Sequence, residues 1–231
     1  MWRSSAAALA LVALVGAAVA LGSPQFSSTF EMTYVSQKPG APGGIDTLMT
    51  WSDPGEPGAK PKRVTQIQFG FHPGTKIDTR AVRQCLASDE KVHIEGRRAC
   101  PRNTRIGFAR SEVKTTTTPV DKPRVTFFNA PRQIIVLVQV EGRVLAVYRD
   151  DVKGRTVTVN LGLPAGLSLL RLHAKVAPHR TVPGKPHRVY FRNPSTCPAS
   201  GQWTTTVKFT YLDGSTDEHS DGTPCVRSTP G

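Results

Sequence analysis

The chain has 231 residues and a formal charge of +13, from 30 Lys and Arg against 17 Asp and Glu. Hydrophobic residues at 38% and charged residues at 20% allow a core and exclude wholesale disorder. Twenty glycines and nineteen prolines, with no long helical period past the first segment, exclude a mainly helical domain and point to many turns.

Arg3 precedes a run of Ala, Leu and Val over residues 5–21, and Ala18-Val19-Ala20 fits the small-x-small rule ahead of Ser23-Pro24. This predicts a secretory signal peptide over 1–22 and a single secreted domain over 23–231. An uncleaved anchor is the weaker alternative, because the run is at the lower limit for roughly 30 Å of hydrocarbon.

Phe30, Met32 and Tyr34 share one parity and predict a first strand over 26–37. A KPGAPGG loop and a second strand over 45–51 follow. Residues 64–72 place Ile67, Phe69 and Phe71 on one face. Asp78 ahead of Ala81 and Val82 predicts a short helical turn in KIDTRAVRQC (76–85), while the polar stretch from Cys85 to Cys100 reads as a stapled loop. Strands are expected over 104–113 and 124–129. Ile134 to Val140 is continuously apolar, as in a strand covered on both faces. Glu141-Gly142 predicts a tight turn into 143–148. Further strands are expected over 156–161, 170–176 and 189–191. In the last stretch Trp203, Thr205, Val207, Phe209 and Tyr211 alternate with polar residues, and Asp213-Gly214 predicts a type I′ hairpin.

These ten or eleven short strands predict an all-β, antiparallel β-sandwich with jelly-roll or Greek-key-like connections and one short helical turn. Four cysteines in an exported chain read as two disulfides. Three pairings are possible, and the local one, Cys85–Cys100 with Cys197–Cys225, is expected; each closure is worth about 3 kcal/mol in a chain-entropy account. A zinc site would call for close Cys-x-x-Cys or His pairs, which the sequence lacks.

Sequence patterns for catalysis are sparse. There is no Gly-x-Ser-x-Gly elbow, His-Glu-x-x-His or phosphate-binding glycine loop. Ser111-Glu112-Val113-Lys114 matches Ser-x-x-Lys without its partner motifs. Asp150-Asp151 could serve a glycosidase but reads first as a solvated turn. Asp217, Glu218 and Asp221, near Asp213 and His219, could hold calcium but read first as an exposed polar strand. His179 and His187 flank a basic loop. Trp51 is a candidate sugar-stacking platform, and Trp203 a core residue.

A basic-proline lead into a strand recurs three times, at Lys60-Pro61-Lys62-Arg63, Lys122-Pro123-Arg124 and Lys185-Pro186-His187-Arg188. Strand initiation explains proline there. The functional reading gathers Lys60, Lys62, Arg63, Lys122, Arg124, Lys185 and Arg188 into a basic rim for a polyanion.

The motifs FGFHPGTKIDTRAVRQC, CPRNTRIGFA, VTFFNAP and the terminal Cys-Pro…Gly-x-Trp…Tyr-x-Asp-Gly…Cys hairpin span roughly residues 60–225. In these the chain resembles a group of secreted actinobacterial proteins that carry no assigned activity. The resemblance implies export, disulfides and a β-rich sandwich, and it transfers no catalytic residue.

The expected protein is therefore a non-enzymatic structural or binding module at the cell envelope. Its expected partner is an anionic wall polymer or polysaccharide, without specific nucleic-acid recognition, cofactor or metal. The alternative is an extracellular carbohydrate-active enzyme or carbohydrate-binding module.

Overall fold

The computed structural model describes residues 26–53, 60–115, 122–176, 181–182 and 185–226. The predicted leader lies outside them. Ser27–Tyr34 (β1) and Ile45–Ser52 (β2) pair antiparallel and turn Phe30, Met32, Tyr34, Met49 and Trp51 inward. Val64–Gly70 (β3) buries Val64, Ile67 and Phe69 in the same core, and Lys76–Ile77 (β4) is a two-residue strand.

The helix lies elsewhere than the sequence reading placed it. Residues 78–81 form a turn in which the Asp78 carboxylate accepts from the Arg80 N–H, and its carbonyl accepts from Ala81. The helix is Asp89–Glu95 (α1), inside the Cys85–Cys100 loop. Ser88 caps it by accepting from the Lys91 N–H, and Asp89 and Glu90 complement the dipole in its first turn. Val92 is its only buried residue, so no apolar period announces it.

Arg105–Lys114 (β5), Arg124–Ala130 (β6), Gln133–Val140 (β7), Arg143–Lys153 (β8) and Thr156–Asn160 (β9) form an antiparallel meander. Glu141 and Gly142 both have positive φ (50° and 85°), which makes the tight β7–β8 turn. Ser168–Val176 (β10) crosses back to pair with β2 and β5. Thr181–Val182 (β11) pairs with Lys185–Val189 (β12), and Phe191–Arg192 (β13) pairs with β4. Gln202–Tyr211 (β14) and Thr216–Pro224 (β15) are the terminal hairpin.

That hairpin turns differently from the type I′ expectation. The Gly214 N–H donates to the Tyr211 carbonyl, only Gly214 has positive φ (81°), and Ser215 accepts from Tyr211. Leu212-Asp213 thus centre a type I turn followed by a left-handed glycine, the three-residue loop with a bulge. The Asp213 carboxylate accepts from both the Ser215 N–H and hydroxyl, which favours this geometry.

Eleven strands make one sheet in the order β1-β2-β10-β5-β6-β7-β8-β9-β3-β14-β15, and two short ribbons add the remaining four. The sheet folds over on itself, so β1 and β2 face β3 and β14 as the two layers of a sandwich. Phe30 lies 6.3 Å from Phe69 and Trp51 5.0 Å from Phe209, centroid to centroid. The two outer strands then meet. The Met32 N–H donates to Asp221 (2.7 Å), the Tyr34 N–H to the Thr223 hydroxyl (3.1 Å), and that hydroxyl to the Met32 carbonyl (3.2 Å). Side chains of β15 satisfy backbone groups of β1 that would otherwise be an open edge.

Both disulfides pair as expected, Cys85–Cys100 and Cys197–Cys225, with Cα separations of 5.2 and 5.6 Å. The first sits against Val92, Phe128, Ile135 and Leu137. Ile134 and Val136 face the other way, into the sheet's interior. Strand β7 is therefore covered on both faces, as its unbroken apolar run implied.

Candidate functional site

Of the three basic-proline strand starts, two lie at one pole of the fold. Pro123 and the loop residues Leu163, Pro164 and Leu167 line one opening there, and Arg63 reaches the same loop by donating to the Leu163 carbonyl. Lys60 donates to the Gly166 carbonyl (2.7 Å). Lys62 pairs with Asp213 (3.0 Å) and donates to Ser215, lying 5.7 Å from the Phe26 ring centroid. These three cations strap loops to the body of the protein. The side chains of Lys185 and Arg188 lie outside the described residues; the backbone of β12 leads to Tyr190 and Phe191.

Lys122 and Arg124 are different. They border an open concavity of about 490 Å³ with Arg110, Glu112, Arg171 and His173. The register places Arg110 of β5 directly opposite Arg124 on β6 and opposite His173 on β10. Three cationic or titratable basic groups thus cross three neighbouring strands in one row. His173 is anchored by Asp46 at 2.6 Å, and Lys175 holds the other oxygen of that carboxylate at 2.7 Å. Burial works to raise the Asp46 pKa, but the bonds from Lys175 and His173 prevail and hold it below the usual carboxylate range.

A second concavity of about 560 Å³ adjoins the first disulfide, lined by Arg97, Arg98, Arg102 and Arg105 with Phe128. A register shift between Arg105 and Gly107 leaves Arg105, Phe108 and Arg110 all exposed along β5, linking the two concavities. None of Arg97, Arg98, Arg102, Arg105, Arg110, Lys122, Arg124 and Arg171 has an ion-pair partner among the described residues. The sequence reading found Lys122 and Arg124 but missed the others. Alternation in β10 sets Arg171, His173 and Lys175 on one face, yet strand order alone brings β6, β5 and β10 side by side. No family model and no curated protein matches the chain.

The remaining candidates take other roles. Asp150 is fully buried within β8, contrary to its reading as a solvated turn, whereas Asp151 is partly exposed and held by Gln133 and Lys153. Neighbours on a strand point to opposite faces, so the two cannot flank one glycosidic bond. Ser111 is buried in β5 and its hydroxyl bonds the Pro123 carbonyl.

Asp217 accepts from Ser28 (3.0 Å) and Tyr211 (2.8 Å), Asp221 accepts from Met32, and Glu218 pairs with Lys208. These carboxylates serve the β1–β15 seam and a surface pair, and no metal-ligating cluster occurs among the described residues. Trp51 is 2% exposed against Phe209, which removes it as a stacking platform; Trp203 is in the core as expected. His179 and the side chain of His187 lie outside the described residues.

Proposed function

We propose that the protein is a secreted, non-enzymatic binding module of the cell envelope whose arginine-rich face docks on an anionic wall polymer. The register of β5 carries this reading. Like charges directly opposite one another on a sheet are destabilising, and the Arg124–Arg110 pair, which has no ion-pair partner among the described residues, is relieved when an anion lies across it. Arginine's planar fork matches phosphodiester or carboxylate oxygens in pairs. Two disulfides suit an oxidising, extracellular setting.

The test is pull-down of the oxidised chain from residue 23 on purified cell wall and on a wall teichoic acid, across a salt series. The parent is expected to bind at low salt and release as salt rises. Arg110→Glu with Arg124→Glu is expected to abolish retention. Lys60→Glu with Lys62→Glu should weaken it far less, because those ammonium groups are engaged on the loops. Retention unchanged in the first pair removes the proposal, as does equal retention on double-stranded DNA, which would mark unselective charge.

A further inference from the structure

The basic outer face is not basic throughout. Strand β6 pairs with β7 without a shift from Arg124 to Ala130, so Arg124, Thr126 and Phe128 point to one side of the sheet. Arg124 borders the first concavity and Phe128 the second. Four residues at about 3.3 Å each set these two about 13 Å apart on a single face. Across the ladder Arg110 stands opposite Arg124, Phe108 opposite Thr126 and Arg105 opposite Phe128. Strand β5 advances five residues over that span where β6 advances four. The extra residue lies at the shift beside Gly107, where a side chain would run into the Lys175 carbonyl. This bulge brings Arg105 onto the face of Phe108 and Arg110, while Ile106 stays buried.

Charge and apolar surface alternate along the face. At one end Arg110, Lys122, Arg124 and Arg171 gather, with one acid, Glu112, directly opposite Arg171. At the other end Arg97, Arg98, Arg102 and Arg105 line a concavity that holds no carboxylate among the described residues. Between the ends stands Phe108, 50% exposed and the only exposed aromatic ring among the described residues. Its neighbours across the two ladders are Thr126 and Lys175, and the Lys175 ammonium lies 2.7 Å from the Asp46 carboxylate. The middle of the face is therefore balanced in charge, and the ends are not.

We infer that the ligand of this face is a phosphodiester-linked glycan, with an uncharged sugar ring seated on Phe108 and phosphates on either side held by the two arginine clusters. The inference rests on the polyanion reading above and narrows it. The C–H face of a sugar ring takes the phenyl surface of Phe108 out of water, and the guanidinium forks take phosphate oxygens in pairs. A polyol phosphate has no ring to cover Phe108. A uronate chain carries a carboxylate on every ring and would set one over Phe108, where the nearest cation, Lys175, is already engaged by Asp46.

The experiment is a calorimetric titration of the oxidised protein at low salt with hexose phosphodiester oligomers of increasing length. Glycerol phosphate oligomers, oligogalacturonate and oligodeoxythymidine of matched charge are titrated alongside. Affinity in the hexose series is expected to rise about a hundredfold once an oligomer reaches both clusters. It is expected to exceed that of the glycerol series about tenfold. Phe108→Thr keeps a good strand former in place and is expected to bring the hexose series down to the glycerol level. Arg97→Glu with Arg102→Glu is expected to make long and short hexose oligomers bind alike. The comparison among ligands uses the parent protein alone, so it stands should a variant fail to fold. Equal affinity for hexose and glycerol oligomers, in a protein that still binds purified wall, overturns this inference and leaves the polyanion reading in place. Tighter binding of galacturonate overturns the uncharged ring, and tighter binding of oligodeoxythymidine assigns Phe108 to a nucleobase instead. Absence of binding to every oligomer and to wall removes both readings.

Discussion

Strands β5, β6 and β10 present two faces of opposite character. Inside, Ile106, Ala109, Val125, Phe127 and Ala174 line or back the apolar interior, whose wall carries one buried acid, Asp150. Outside, Arg110, Arg124 and Arg171 stand exposed with no ion-pair partner among the described residues. The inner face keeps an acid where its ionisation is costly, and the outer face keeps cations where their proximity is costly. Both are local losses of stability that packing elsewhere offsets, and such places are where binding residues are found.

The largest expected effect comes from the inner face. Burial is the main cause that raises Asp150 to about 7, the neighbouring Asp151 adds to it, and the Asn160 N–H partly opposes it. The folded-state pKa therefore lies above the unfolded one. The folded protein binds the proton more tightly, so this group favours folding most below the unfolded pKa. Its contribution declines as pH rises through the folded value and is flat above. A shift of that size corresponds to up to about 4 kcal/mol across roughly pH 4 to 7. Urea unfolding at stepped pH should show the decline in the parent and a much flatter profile in Asp150→Asn. Parallel profiles would mean that the carboxyl is not held in an apolar wall.

Next in size are the covalent closures. Cys197→Ser opens the terminal hairpin at its base and is expected to cost about 3–4 kcal/mol, enough to prevent stable folding of a marginal domain. Cys85→Ser frees the α1 loop from Phe128, Ile135 and Leu137 and is expected to cost about 3 kcal/mol. The second change sharpens the contrast between the faces, because it also loosens Arg97, Arg98 and Arg102. Wall retention of any folded fraction should fall along with its stability. Chemical unfolding under oxidising conditions gives both numbers, and a Cys197→Ser protein as stable as the parent would contradict the hairpin argument.

What could be read in the sequence divides along the same lines. Period-two alternation located the strands of the main sheet, and short spacing located both disulfides, because each is a local property of the chain. The apolar run Ile134 to Val140 announced a strand covered on both faces. Helix α1 stayed hidden behind a single buried residue, Val92, although Ser88 followed by Asp89 and Glu90 carried the capping signal. Asp150 resembles half of a surface pair in the sequence because nothing local shows that β8 runs on as far as Lys153 and turns it inward. The basic face was half legible. Lys122 and Arg124 stood out by their motif, while Arg110 and Arg171 depend on β5 lying between β6 and β10, which no local pattern specifies.

The smallest effect separates the two faces most cleanly. Arg110 faces Arg124 on one side and His173 on the other. Threonine suits an exposed strand position better than a cation directly opposite Arg124 does, so Arg110→Thr is expected to stabilise the fold by about 0.2–1 kcal/mol. The same change removes one contact to the polyanion and should lower the salt dependence of wall binding by about one unit of log–log slope. A residue kept only for solubility would give neither result, and one kept for folding would give a loss of stability. Gain of stability with loss of binding is the signature of a group held against the interest of the fold. Measuring the unfolding midpoint and the salt slope on the same preparation decides between them, and a destabilised Arg110→Thr that still binds with the parental slope would return the outer face to a purely structural role.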